Sequence, residues 1–286
     1  MAIPAETTYS KIREVARPGW PAAFVLLAFV SFAVFTAIPG TVEGKSLAVL
    51  HGLCAQQSTH SYYFGDARLP FDARMTGIYG GFLMTAGYLA ARGRWQCTGF
   101  ENVKVIVALV LLVLPLAIDG TNSFLKDLEL FHLYEPLNVV RTATGIMLGT
   151  TMATFVWLLV GQTGFQPGAT SSRQVWSGLP ELGAALAAQF VAATLIGISD
   201  LPVRVPLTYL LMASAATMVM GLLLPFVLLV TRSEQQALST IDLARPATFA
   251  LIGALLFIGA MAGGRFFLEA LLGLPSEVGE AALILR

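Results

Sequence analysis

Charged side chains are scarce in this sequence. They make up 12% of its 286 residues, while 56% are hydrophobic and the mean hydropathy is +0.74. A soluble domain carries about 25% charged residues, so water is excluded as the main solvent of this chain. The 17 basic and 17 acidic side chains cancel. There is no cationic surplus to hold a nucleic-acid backbone and no acidic run to hold a basic partner. Only two cysteines occur, Cys54 and Cys97. They fall in loops expected on opposite sides of a bilayer, which excludes a disulfide framework. There are three histidines, His51, His60 and His132, and none has a partner at a metal-binding spacing. No P-loop, dinucleotide fingerprint, His-Glu-x-x-His or Gly-x-Ser-x-Gly is present, so soluble-type catalysis finds no support. A cleavable leader is not expected either, because the apolar run starting at Pro21 is too long and no small-residue cleavage site follows it.

Long apolar runs, by contrast, are plentiful. Seven come near the ~20 residues that cross a hydrocarbon core: 21–38, 75–91, 103–118, 142–160, 180–198, 206–230 and 246–263. The fold class expected is all-α, a polytopic membrane helix bundle of about seven transmembrane helices. Its parts are an N-terminal cytoplasmic segment (1–20), a motif-bearing four-helix half (21–160), a linker (161–179), a three-helix half (180–263) and an interfacial C-terminal helix (264–286). The second and third runs are short. Either Arg92, Arg94 and Lys104 snorkel beside them or one is re-entrant. Lys11, Arg13, Arg17, Arg92, Arg94, Lys104, Arg173, Arg232 and Arg245 share one side, which by the positive-inside rule puts the N-terminus in the cytoplasm. The setting expected is a bacterial cytoplasmic (inner) membrane, with lipids and other membrane subunits as partners and no nucleic acid.

Two of these runs repeat one another. Arg74-Met75-Thr76-Gly77-Ile78-Tyr79-Gly80-Gly81 aligns with Arg141-Thr142-Ala143-Thr144-Gly145-Ile146-Met147-Leu148-Gly149 once one residue is inserted after the arginine. Each copy holds a Gly-x-x-x-Gly, Gly77 with Gly81 and Gly145 with Gly149. The spacing predicts that spans two and four cross in contact as a parallel pair. A cation at a helix N-terminus opposes the macrodipole, so Arg74 and Arg141 need an anion. One alternative is a structural ion-pair set in which they pair with Asp119 and Glu135. The other is an anion or lipid site in which Thr76, Thr144 and Asn122 help to hold a phosphate. Metal ligation has only weak candidates, His51, Cys54 and Asp72. No cofactor is predicted; bound lipid, or a pigment on a histidine, stays open.

At Cys54-Ala55-Gln56, His60-Ser61-Tyr62 and Pro70-Phe71-Asp72-Ala73-Arg74-Met75-Thr76-Gly77-Ile78-Tyr79-Gly80-Gly81, the sequence resembles a bacterial and archaeal membrane family known as domain of unknown function 2085. That family's pattern is Cys-His-Gln, Arg-Ser-Phe and Cys-x-Arg-Cys-Thr-Gly-Ile-Tyr-x-Gly, then Asp-Gly and Arg-x-x-Thr-Gly-x-x-x-Gly. Asp119-Gly120 and the segment from Arg141 to Gly149 match the later pieces, so the resemblance runs over roughly residues 50 to 155. Of the family's Cys/His positions only Cys54 survives here; Ala55, Asp72 and Met75 replace the others. The resemblance implies architecture and no activity. The function expected is a non-catalytic membrane subunit or scaffold, an accessory component of a bioenergetic or photosynthetic complex. The rival is an enzyme or carrier acting on an anionic lipid headgroup.

Overall fold

The computed structural model describes residues 19–99, 102–198 and 203–274. The expectations for Lys11, Arg13 and Arg17 and for the tail beyond 274 lie outside them.

The chain forms a helical membrane bundle, and the long helices follow the apolar runs: α1 Gly19–Ala37, α3 Ala73–Ala91, α6 Asn138–Gly164, α7 Leu179–Ile198, α8 Arg204–Val230 and α9 Ala244–Leu272. The third run is broken into α4 Val103–Leu111 and α5 Leu114–Asp127. Pro115 sits at the start of α5 and has no N–H to continue the ladder. A short helix, α2 Val42–Val49, and an antiparallel hairpin, β1 Ser61–Phe64 with β2 Ala67–Asp72, cover the end of the bundle where α3 and α6 begin.

Among the described residues six helices are long and apolar enough to cross a membrane, with α4 and α5 acting as one. The remaining apolar run, α3, is not among them: Arg74, two tyrosines, two threonines and four glycines lower its hydropathy, and it packs inside the bundle. Its main neighbour is α6, and α8 flanks both. The two glycine pairs make this contact possible. A Cβ on Gly145 or Gly149 would run into the carbonyls of Arg74 and Ile78, and one on Gly77 or Gly81 into those of Thr142 and Ile146. Two helix backbones therefore touch with nothing between them, the approach that small residues four apart permit. A polar layer crosses the same core. Gln189 of α7 donates to Thr85 Oγ1 (3.1 Å) and Thr150 Oγ1 (3.2 Å), so all three buried side chains satisfy one another.

Segment 161–179 has the composition of a flexible linker, but it is docked on the bundle. Strand β4 (Ser171–Gln174) pairs in parallel with β3 (Cys97–Gly99). The next residues, Val175 and Trp176, are completely buried, and Trp176 Nε1 donates to Thr154 Oγ1 (3.0 Å). Arg94 does not snorkel. It is 3% exposed and donates to Glu181 at the start of α7 (2.8 Å), to Ser177 Oγ (3.0 Å) and to the carbonyls of Gln174 and Val175. The final helix also differs from expectation. No break follows Gly263, and residues 264–272 continue α9 as one element. Cys54 and Cys97 are both free and buried. They lie at opposite ends of the 19-residue α3, about 28 Å apart along its axis at 1.5 Å per residue.

Candidate functional site

The chemistry-bearing residues gather where α3 and α6 begin. Asp72 caps α3 by accepting from the Met75 N–H (2.8 Å), the role a carboxylate plays at an N-cap. Its other oxygen accepts from the Cys54 thiol (3.3 Å). The Cys54 sulfur in turn accepts from the backbone N–H groups of Gln56 (3.3 Å) and Asp72 (3.4 Å). Burial first, and the Asp72 charge second, push this thiol up to about 12. Cys54 is thus a neutral thiol held in a hydrogen-bond web, a poor nucleophile and a poor metal ligand.

In the first turn of α3, Arg74 Nη2 donates to Asp119 Oδ2 (2.7 Å) and Ser123 Oγ (3.1 Å). Asp119 is 1% exposed, and its second oxygen accepts from the Tyr134 hydroxyl (2.7 Å). Burial, then the hydrogen bond to Asp119, push Tyr134 up to about 12, so it stays a donor. Asn122 pins the loop that carries Tyr134. Its Nδ2 donates to the Tyr134 carbonyl (2.8 Å) and its Oδ1 accepts from Leu133 N–H (2.6 Å).

Glu135 does not reach either arginine. It is exposed and accepts from Lys126 (2.7 Å) and contacts His132 (3.2 Å), and these two hold its carboxyl below the usual carboxylate range. An ion pair with Arg141 would have required its loop to fold inward, and Asn122 holds that loop in place. The two threonines are also occupied. Thr76 donates to the Phe71 carbonyl (3.3 Å) and Thr144 to the Arg141 carbonyl (3.0 Å), so neither hydroxyl proton is free for a ligand.

Arg141 is the anomaly. It lies in the first turn of α6, whose cap residue Leu137 supplies no side-chain acceptor. It is 5% exposed, and its hydrogen-bond partner is the neutral side-chain oxygen of Asn138 (2.9 Å). Its Nε and that of Arg74 are buried without an acceptor. A guanidinium carries five N–H donors, so Arg141 is short of acceptors where water is scarce. The charges of Arg74, Asp119, Asp127 and Asp72 all act on it, but none of these carboxylates bonds to it. Nearby His60 faces Asp127 (3.7 Å). Burial, then the Arg141 charge, keep its imidazole below its ordinary value and so neutral at pH 7.

A third cluster joins the end of α9 to the loop after α2. His51 is fully buried, and its ring nitrogens contact Gln56 and Glu269, so neither lone pair is turned toward a metal or pigment. Arg265 donates to the carbonyls of His51, Cys54 and Ala55 and to Glu269, tying the end of α9 to the loop after α2. The signal available in the sequence was an Arg-x-x-x-Glu step inside an apolar helix. Between Arg74 and Arg265 runs an open groove of about 460 Å³, also lined by Gly52, Cys54, Ala55, Asp72 and Met75. Among the described residues no group of three His, Cys, Asp or Glu stands ready to hold a metal ion.

Cys54, the Asp72 cap, the Arg74 and Asp119 pair, Arg141 and both glycine pairs fall in one continuous stretch. Residues 54–155 match a family model, the predicted membrane protein of domain of unknown function 2085. The matched stretch is about a third of the chain and holds the α3 and α6 pair, whereas His51, Arg265, Glu269 and the α7 to α9 helices lie outside it. No curated protein and no solved structure matches the chain.

Proposed function

We propose that this chain is a non-catalytic membrane protein that binds an anionic group, a phosphate-bearing lipid headgroup, at the end of the bundle where α3 and α6 begin. The observation that carries the reading is Arg141, 95% buried, with Nε lacking an acceptor beside a second such Nε on Arg74. A phosphate offers several anionic acceptors in the planar geometry that guanidinium groups match. The α6 N-terminus, which no side chain caps, adds N–H groups and a positive dipole end. Non-catalytic fits the neutral Cys54 thiol, and Asp119 is already committed to Arg74 and Tyr134.

The test is native mass spectrometry of protein extracted from its own membrane in mild detergent. The wild type is expected to hold a phospholipid that Arg141→Gln loses, while Glu135→Gln retains it. A wild type that carries no lipid, or an Arg141→Gln variant that keeps it, overturns the reading.

A second reading, an accessory subunit of a larger membrane complex, is favoured by one observation. In the segment between α5 and α6, Phe131 is 82% exposed and Leu133 70%. The same spectra test it, because a stoichiometric protein partner supports it and a chain that flies alone removes it.

A further inference from the structure

The His51 cluster contains a proton that hydrogen-bond accounting can locate. Gln56 Nε2 donates to the carbonyls of Leu47 (2.9 Å) and Pro70 (3.1 Å), and carbonyls only accept, so this amide's orientation is determined. Its oxygen therefore faces His51 Nδ1, 2.9 Å away, and Nδ1 must carry a hydrogen. On the other side of the ring, Nε2 lies 2.9 and 2.8 Å from the two oxygens of Glu269. An ionised carboxylate also only accepts, so a neutral ring protonated at Nδ1 would set a lone pair against two oxygens. One further proton has to sit in this contact. Glu269 Oε1 already accepts from Arg265 Nε (2.8 Å), which favours the ionised carboxylate and leaves the proton on the ring.

We infer that His51 and Glu269 together form a proton-binding site, holding one proton as a buried imidazolium, and that this proton latches the end of α9 to the loop carrying Cys54. The proposal stands independently of the lipid reading.

The surroundings fit a retained cation. From α9, Arg265 and Glu269 face the ring and Phe266 stacks on it, with centroids 4.3 Å apart. From its own loop come Gln56 and, through the carbonyl that Arg265 binds, Cys54, whose thiol is neutral. From the hairpin, Arg68 Nη1 donates to the Gln56 carbonyl (2.8 Å). Arg68 has Glu43 of α2 on its backbone N–H (2.9 Å), and Arg204 of α8 lies 3.8 Å from Glu43. The imidazole is wholly buried, while the Glu269 side chain is 12% exposed, so the carboxylate is the side from which a proton enters or leaves.

Glu269→Gln separates the proton from the fold. The amide it introduces has the carboxylate's shape, donates one hydrogen to a neutral Nε2 and still accepts from Arg265, so the network survives without the extra proton. The experiment is nitrogen NMR of histidine-labelled full-length chain in lipid nanodiscs, with His51→Gln identifying the signal. At pH 7 the wild-type ring is expected to be protonated on both nitrogens and the Glu269→Gln ring on Nδ1 alone. A neutral His51 ring in the wild type, or a doubly protonated ring in Glu269→Gln, overturns the proposal. Hydrogen exchange supplies the latch readout. Once alkali removes the proton, protection of amides 265–272 should fall about tenfold in the wild type, the loss of one charge-assisted hydrogen bond, and stay level in Glu269→Gln. Unchanged wild-type protection overturns the latch.

Discussion

Arg94, in the turn after α3, and Glu181, in the first turn of α7, meet at 2.8 Å with both side chains largely buried. The contact closes the end of the bundle opposite the Arg74 cluster and holds the docked segment 171–176 beneath it.

Breaking that pair from one side should cost more than deleting both partners. Arg94→Ala leaves the Glu181 carboxylate only the more exposed Arg92, 3.9 Å away, as a cation, and removal of one member of a buried pair typically costs about 3 kcal/mol or more. The double change Arg94→Met with Glu181→Leu should recover part of the loss. Thermal unfolding in detergent is the measurement, and a single variant as stable as the wild type contradicts the assignment.

At the helix crossing, Gly149→Ala puts a methyl group into the Ile78 carbonyl and should destabilise by about 1–3 kcal/mol, the usual range for overpacking. Gly80→Ala is the control. It lies on the partner helix α3 and has nothing within 4 Å of the added carbon, so it should be neutral or stabilising by up to about 1 kcal/mol.

Cys54 should resist alkylation. With its thiol near 12, roughly one molecule in ten thousand is thiolate at pH 8, against about a quarter for a free cysteine. Native-state labelling in a Cys97→Ser background should run about a thousandfold slower than after unfolding. Comparable rates in the two states would contradict the web around the sulfur.

Alkaline stability should carry the mark of Tyr134. Its folded value, about 12, lies above the ordinary 10, so the fold prefers the protonated phenol. Its stabilising contribution is complete below pH 10 and is lost as pH rises from 10 toward 12, where the unfolded chain releases the proton first. Tyr134→Phe should flatten that part of the profile. At neutral pH it should cost about 1 kcal/mol, for the hydrogen bond lost from Asp119. Denaturation followed against pH checks both effects.

Hydropathy made the helices legible because crossing hydrocarbon demands length and apolarity together. The close approach of α3 and α6 could be read from Gly77, Gly81, Gly145 and Gly149, since few patterns other than close packing call for small residues four apart. The partner of Arg141 could not be read. Charge matching offers Glu135, but which carboxylate arrives depends on how Asn122 pins a loop, and that is a tertiary fact. Segment 161–179 misled for a related reason. Glycine, serine and threonine read as flexible on average, while the docking of the segment depends on a single buried Trp176 and a parallel strand pair from a distant turn. Glu269 was hidden by its setting, because a lone carboxylate in an apolar tail looks like an interfacial charge until His51 is placed against it.

The central position of α3 bears on how this protein is made. Of the seven passages it is the one that fails the apolarity needed for crossing, and the helix that shelters it, α6, is synthesised dozens of residues later. Insertion span by span would leave α3 poorly suited to lipid during that interval. Stable placement of α3 in the bilayer therefore depends on α6, whose backbone covers its glycine face.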